Sequence, residues 1–333
     1  MFGIGKNRGL RLDPDKLAQL TDEQLYLLFS EDNWAKIDKS SRLAALQEVE
    51  NRRAKLDGRK PIPVLEGKSE SFIKKPGLMG GFSPSQKVIY INYRFLEGNS
   101  AHHSPANALD TVIHEGRHAY QDDVINNNPD RVVRQILDEW RSSEAKYFRG
   151  CSDETAPREV YLREAAIYMM QSIEIDARRA ARQELYRAAE AMEAQGVDTR
   201  DIISQIDRNL SEEINFLMLV QNYLTDSMID ELEQEVLKAM REKYPGEDFS
   251  KLRLFDHARL ILRAPKITDY DAKAVSIVRI LDFYEQNKLK GIDLGNFDKF
   301  VEQQLQAIND EEPDKLPDSA QEKIVANRIQ SSL

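Results

Sequence analysis

The sequence predicts an α+β protein, predominantly α-helical, in which a small antiparallel sheet packs on one central helix and a helical C-terminal region follows. Three observations lead there. "KVIYINYRFL" sets Ile89, Ile91, Tyr93 and Phe95 at period two with β-branched and aromatic enrichment, the strongest strand signature in the chain. Proline and glycine accumulate between "KPIPVLEG" and "GLMGGFSPSQ", as loops around short extended pieces require. Beyond the "NNNP" that ends in Pro129, almost every stretch carries helical periodicity, interrupted only by glycine- and proline-bearing joints.

In chain order, "LTDEQLYLLF" opens with Thr21 and, three residues on, Gln24, a capping box ahead of an apolar face. "SSRLAALQEVENRRAKLDG" spaces Leu43, Leu46 and Val49 on one helical face and stops near Gly58. The strand around Ile89 comes next, and then "SPANALDTVIHEGRHAYQDDVI", with Ser104 as N-cap and Pro105 in the first turn. "PDRVVRQILDEWRSSEAKYF" and one long helix from about Pro157 to Gln195, stopped by Gly196, continue the pattern. Further helices are separated by "GVDTRD", "NYLTDSM", "YPGEDFS", "RAPKITDYD" and "KGIDLGN". The tail "NDEEPDKLPDSAQEK" is charged and proline-broken, a loosely held terminus ahead of a last, weakly docked helix. The expected division is a helical N-terminal segment at 1–59, a core at 60–195 and a helical C-terminal domain at 196–333.

A chain of 333 residues can bury one large core or two ordinary ones. A formal net charge of −10 argues against nucleic acid as a main partner, because phosphate binding needs a basic surface. The one cysteine, Cys151, excludes a disulfide framework and a four-cysteine zinc site, so a metal would be held by nitrogen and oxygen; Cys151 itself reads as structural. No apolar run suits a signal peptide or a membrane span, so no membrane role is expected and cytoplasmic residence is the default; export without a cleaved signal leaves no mark of this kind.

"TVIHEGRHAYQDD" holds the chemistry. His114 and His118 are one turn apart on one helical face, so both imidazoles can reach one ion. Glu115, about 100° around the helix, sits beside such an ion and can take a proton from its water. This is the HExxH pattern of zinc hydrolases. The competing reading is a solvated helix with two histidines in a polar row. Val112, Ile113, Ala119 and Ala108 give the helix an apolar stripe that favours burial, and Gly116 costs helix stability unless another backbone or a substrate comes close.

A third ligand is needed. His102 and His103 precede the helix and could fold back, though a solvated loop suits them better; His257 reads as a surface or helix-contact residue. "YMMQSIEIDARRAARQ" offers Glu174 or Asp176 on a helix whose Met169, Met170, Ile173 and Ala177 mark a buried side. Glu174 lies nearer that stripe; its alternative is a surface bridge to Arg178. Tyr120, Tyr161 and Tyr168 are candidates to steady an oxyanion, with Tyr168 taken as the catalytic one. Gln121 and Asp122 could fix an imidazole or stay solvated.

With "HEGRH" at 114–118, "VIYINYRF" before it and "EIDARRAA" from Glu174, the chain resembles the zincin metallopeptidases, in the glutamate-ligand (gluzincin-like) subgroup typified by thermolysin-like enzymes, over about residues 60–190. The resemblance implies a zincin-like core on Zn2+, with His114, His118 and Glu174 as ligands and Glu115 as general base. Position 124 is Val, so the third histidine of the metzincins is missing, and the Asn-Glu context of thermolysin's ligand helix is missing as well. "HAYQ" also occurs in zincin-like domains of secreted bacterial toxins and phage proteins, which implies an effector role as one option.

The expected activity is hydrolysis of a peptide bond in a protein or peptide substrate, held as an extended strand along an edge strand near Ile89–Phe95. The C-terminal helices would shape the cleft or bind a protein partner. The alternative from a different class is a non-catalytic helical adaptor with a structural or vestigial metal site, which leaves Glu115 without a purpose.

Overall fold

The computed structural model describes residues 9–74, 78–97, 104–150 and 155–309. His102, His103, Cys151, the first eight residues and the charged tail lie outside the described residues. The chain is mostly helical, with a small three-stranded sheet.

The N-terminal part forms α1 (Pro14–Leu17), α2 (Asp22–Tyr26), α3 (Glu31–Lys36) and α4 (Lys39–Leu56). The capping box expected before α2 is closed in both directions: Thr21 N donates to Gln24 Oε1 at 2.9 Å and Gln24 N to Thr21 Oγ1 at 3.2 Å. Such caps contribute about 1 kcal/mol each. α4 ends where Gly58 takes a φ of 67°, a left-handed exit that favours glycine.

β1 (Val64–Gly67), α5 (Glu70–Lys74), β2 (Gly80–Ser83), β3 (Val88–Asn92) and α6 (Arg94–Glu97) follow. The sheet order is β1-β3-β2, with β1 parallel and β2 antiparallel to β3. The sheet is therefore mixed rather than antiparallel, and the strand at Ile89 is its centre rather than an edge. Alternation of apolar residues reports which face is buried and says nothing about neighbours, which is why the sequence could not separate the two cases. The strand also stops early. Asn92 Oδ1 accepts from Arg94 N at 3.1 Å, which turns the chain into α6 and places Phe95 there instead of in the strand.

α7 (Pro105–Asn126) packs on β2, β3 and α4. Next come α8 (Arg134–Ala145), α9 (Arg158–Met169), α10 (Ser172–Ala194), α11 (Arg200–Tyr223), α12 (Asp226–Lys243), α13 (Asp256–Arg263), α14 (Ala272–Leu289) and α15 (Leu294–Asn309). Every expected joint after Gly196 separates two of these helices. One joint was not expected: the long helix over 157–195 breaks at Met170–Gln171, where Gln171 is extended at φ −66° and ψ 134°. The side chain of buried Gln171 explains the break. It accepts from Phe148 N at 2.9 Å and donates to Phe148 O at 2.9 Å and Tyr168 O at 3.1 Å, replacing helical hydrogen bonds with tertiary ones.

Two large apolar clusters hold these elements. One joins Leu46 and Val49 of α4, Ile89 and Ile91 of β3, Val112 of α7 and Leu185 of α10, and extends to Ile202 and Ile206 of α11. The other joins Ala166 and Met170 to α11, α13, α14 and α15. The first crosses both 59 and 195, and the second reaches back across 195.

Candidate metal centre

α7 is fixed at its start by Ser104, whose hydroxyl accepts from Asn107 N at 3.2 Å, and by Asp201 of α11, which accepts from Ala106 N at 3.0 Å. Its apolar stripe of Ala108, Val112, Ile113 and Ala119 is buried as the spacing demands. Two helical turns into this fixed element, His114 and His118 stand with their Nε2 atoms 3.1 Å apart.

Glu174 meets them from the first turn of α10. Its Oε2 lies 3.6 Å from His114 Nε2 and its Oε1 3.7 Å from His118 Nε2. The donor atoms of the three residues all lie within 4.8 Å of one another. Tetrahedral zinc, with bonds of about 2.0–2.1 Å, asks for donors about 3.3 Å apart. Two nitrogens and one oxygen at the observed separations fit that requirement. A tetrahedral ion held by these three would keep a fourth position for a small ligand.

Arg178 does not form the surface bridge to Glu174 that i,i+4 spacing offered; it donates to Met169 O at 2.5 Å and lies 3.6 Å from Glu213. Instead, two tyrosine hydroxyls reach Glu174, Tyr147 on Oε1 and Tyr168 on Oε2, each at 2.8 Å. Six residues on a continuous helix would separate Tyr168 from Glu174 by about 240°; the break at Gln171 brings them together. Burial and the adjacent Glu174 push both phenols well above their ordinary pKa, so both remain donors. Burial alone would raise the Glu174 pKa, but His118 and His114 outweigh it and hold the carboxyl far below its usual range. For His114, burial works towards the neutral form, yet Glu174, Glu115 and Asp110 raise its pKa above the ordinary value.

Glu115 points towards the sheet. Phe82 N of β2 donates to its Oε2 at 2.7 Å. Close approach of β2 depends on Gly80, where a Cβ would come within 2.5 Å of Thr111 Cγ2 and 2.9 Å of Tyr90 O. Gly116 has a different explanation from substrate or strand: Arg59 of the buried Glu50–Arg59 pair donates to its carbonyl at 3.1 Å, and a Cβ there would meet Glu50 Oε2 at 3.0 Å.

The remaining candidates fall elsewhere. Asp176, the other acid considered as third ligand, is bound to Arg117 at 2.6 Å and to Gln121. Asp122 pairs with Lys87 and not with an imidazole. Tyr120 lies under Arg117, 4.5 Å from ring centroid to guanidinium, away from Glu174. Of the two readings of His257, the helix-contact one holds: it is buried, 3.2 Å from Glu285 of α14 and stacked on Phe216 of α11. Tyr161 lines a cavity of about 770 Å³ between α7, α9, α10 and α11, shared with His114, Glu174, Tyr168, Asp110 and Arg178.

Sequence reasoning missed Tyr147 and the Phe82 amide. Tyr147 follows α8 in an irregular segment where no spacing rule applies, and a backbone donor carries no residue signature at all. Compared with known protein families, curated proteins and solved structures, the chain matches none.

Proposed function

We propose that the chain is a zinc-dependent metallopeptidase of the zincin type, hydrolysing a peptide bond in a protein or peptide substrate. One observation carries the reading: His114, His118 and Glu174, from two helices, bring three donors together at zinc-like separations beside an open cavity, with an acid next to the first histidine. When bound, zinc would polarise the scissile carbonyl and acidify the attacking water. Three protein ligands next to a cavity favour a catalytic over a structural site, which is closed by four.

The chain's own groups supply the rest. The Phe82 amide holds Glu115 Oε2, leaving Oε1 to take a proton from water and pass it to the departing amine. Tyr147 or Tyr168, both of which keep their protons, would turn its hydroxyl from Glu174 to donate to the oxyanion of the tetrahedral intermediate. The edge for an extended substrate passes from the strand at Ile89 to β2, which has one strand neighbour among the described residues and borders Glu115. The cavity receives a substrate side chain.

Metal analysis of chelator-free protein should find one zinc per chain. Glu115→Gln should keep metal and fold and lower peptide turnover by about 10²–10⁴-fold, the worth of a general base. Protein purified without zinc that does not take it up, or unchanged turnover in Glu115→Gln, would overturn the reading.

A further inference from the structure

We propose that Gln121, anchored by Ile173 and Asp176, is a positioning residue that sets the tautomer of His118 and so decides which of its nitrogens faces a metal. The inference deepens the zinc reading and rests on it for the metal, while the tautomer can be measured without one. Gln121 is buried, at 3% exposure, on α7. Its Nε2 lies 3.0 Å from Ile173 O and 2.9 Å from Asp176 Oδ2, and its Oε1 lies 2.8 Å from His118 Nδ1.

An amide can be turned end for end, so its direction must be fixed by what it meets. A backbone carbonyl only accepts, and Ile173 O therefore requires the NH2 end of Gln121. Asp176 accepts at the same NH2 group. With that end committed, only Oε1 is left for His118, and Oε1 only accepts. His118 Nδ1 must then carry the hydrogen, and the lone pair of a neutral ring must sit on Nε2. That is the nitrogen 3.1 Å from His114 Nε2 and 3.7 Å from Glu174 Oε1. Hydrogen bonds thus connect a carbonyl on α10, through one amide, to a candidate ligand ring on α7.

Asp176 is itself held in place. Arg117 Nε and Nη2 reach it at 2.6 and 3.1 Å, and Arg179 pairs with it from one turn along α10. Arg117 belongs to the HExxH stretch, so the same turn that presents the histidines also grips the anchor of their orienting amide. This gives the acid at 176 a purpose other than ligation.

The test uses the full chain. In metal-free protein at a pH where His118 is neutral, a long-range 1H–15N spectrum should show the Nδ1–H tautomer for His118; the Nε2–H tautomer would overturn the proposal before any variant is made. Gln121→Met, which can neither accept nor donate, should leave a mixture of tautomers and weaken zinc affinity about 10- to 100-fold. Gln121→Glu should stay within a few-fold of the parent, because a protonated glutamate can donate towards Ile173 O or Asp176 and still accept from His118. An unchanged tautomer and affinity in Gln121→Met, or equal losses in both variants, would overturn the proposal. Should Gln121→Met fail to fold, the parent spectrum and Gln121→Glu still decide. A parent with the Nδ1–H tautomer that binds no zinc would leave the relay standing and overturn the metallopeptidase reading.

Discussion

At the scale of single residues, the candidate centre is two imidazoles and a carboxylate whose charges already suit one another, and this would make uptake of the proposed metal a proton-coupled event. His114 has its pKa raised above the ordinary histidine value, so it keeps a proton to higher pH than a free imidazole, and an incoming ion must expel that proton wherever it is held. Glu174 is held far below its usual range and brings no proton of its own. Zinc affinity should therefore weaken as pH falls and the two imidazoles take up protons, with proton release on binding seen in calorimetry across buffers of different ionisation enthalpy. Tyr168→Phe removes one hydroxyl donor; it should cost up to about 10²–10³-fold in kcat if Tyr168 faces the oxyanion, while Tyr147→Phe separates the two phenols by the same measurement. The meeting of His114 and His118 could be read from spacing because a helix repeats its directions every turn, and Glu174 was marked by the apolar stripe beside it. Tyr147 could not, since only tertiary folding brings it near.

Among the elements, contact between β2 and α7 is the most exposed to small changes. Gly80→Ala drives a methyl into Thr111 and the Tyr90 carbonyl, and backbone cannot yield as a flexible side chain would. Overpacking of this kind costs about 1–3 kcal/mol, and lifting β2 also pulls Phe82 N from Glu115. Thermal unfolding should show the first effect, and a loss of turnover larger than the stability change explains should show the second. The helices were legible from caps and glycine stops, as at Thr21, Gly58, Ser104 and Gly196. The break between α9 and α10 was not, for it contains neither glycine nor proline and exists because Gln171 bonds elsewhere. The order of strands was equally hidden, because α5 and β2 lie between β1 and β3 in the chain and the two pair by a register no local pattern encodes.

For the whole molecule, the C-terminal helices are built into the site rather than appended to it. α11 forms one wall of the cavity and caps the start of α7 through Asp201. α14 plugs into α8 through Lys288, whose Nζ lies 2.6 Å from Glu139 and 3.7 Å from Glu285, all three buried. Lys288→Met would leave Glu139 without its cation, while Glu285 keeps His257, and should cost about 3–5 kcal/mol in urea unfolding, with Glu139→Gln in the same chain recovering much of it. A weaker loss, or no recovery, would mean that the pair is screened by water. Sequence charge patterns show that Glu139 and Lys288 exist; their meeting across 149 positions is a property of the fold. The amide of Gln171 carries a related consequence. Because it bonds the Phe148 backbone, beside Tyr147, and the Tyr168 carbonyl, a single side chain at the joint ties together the two backbone segments that carry both phenols.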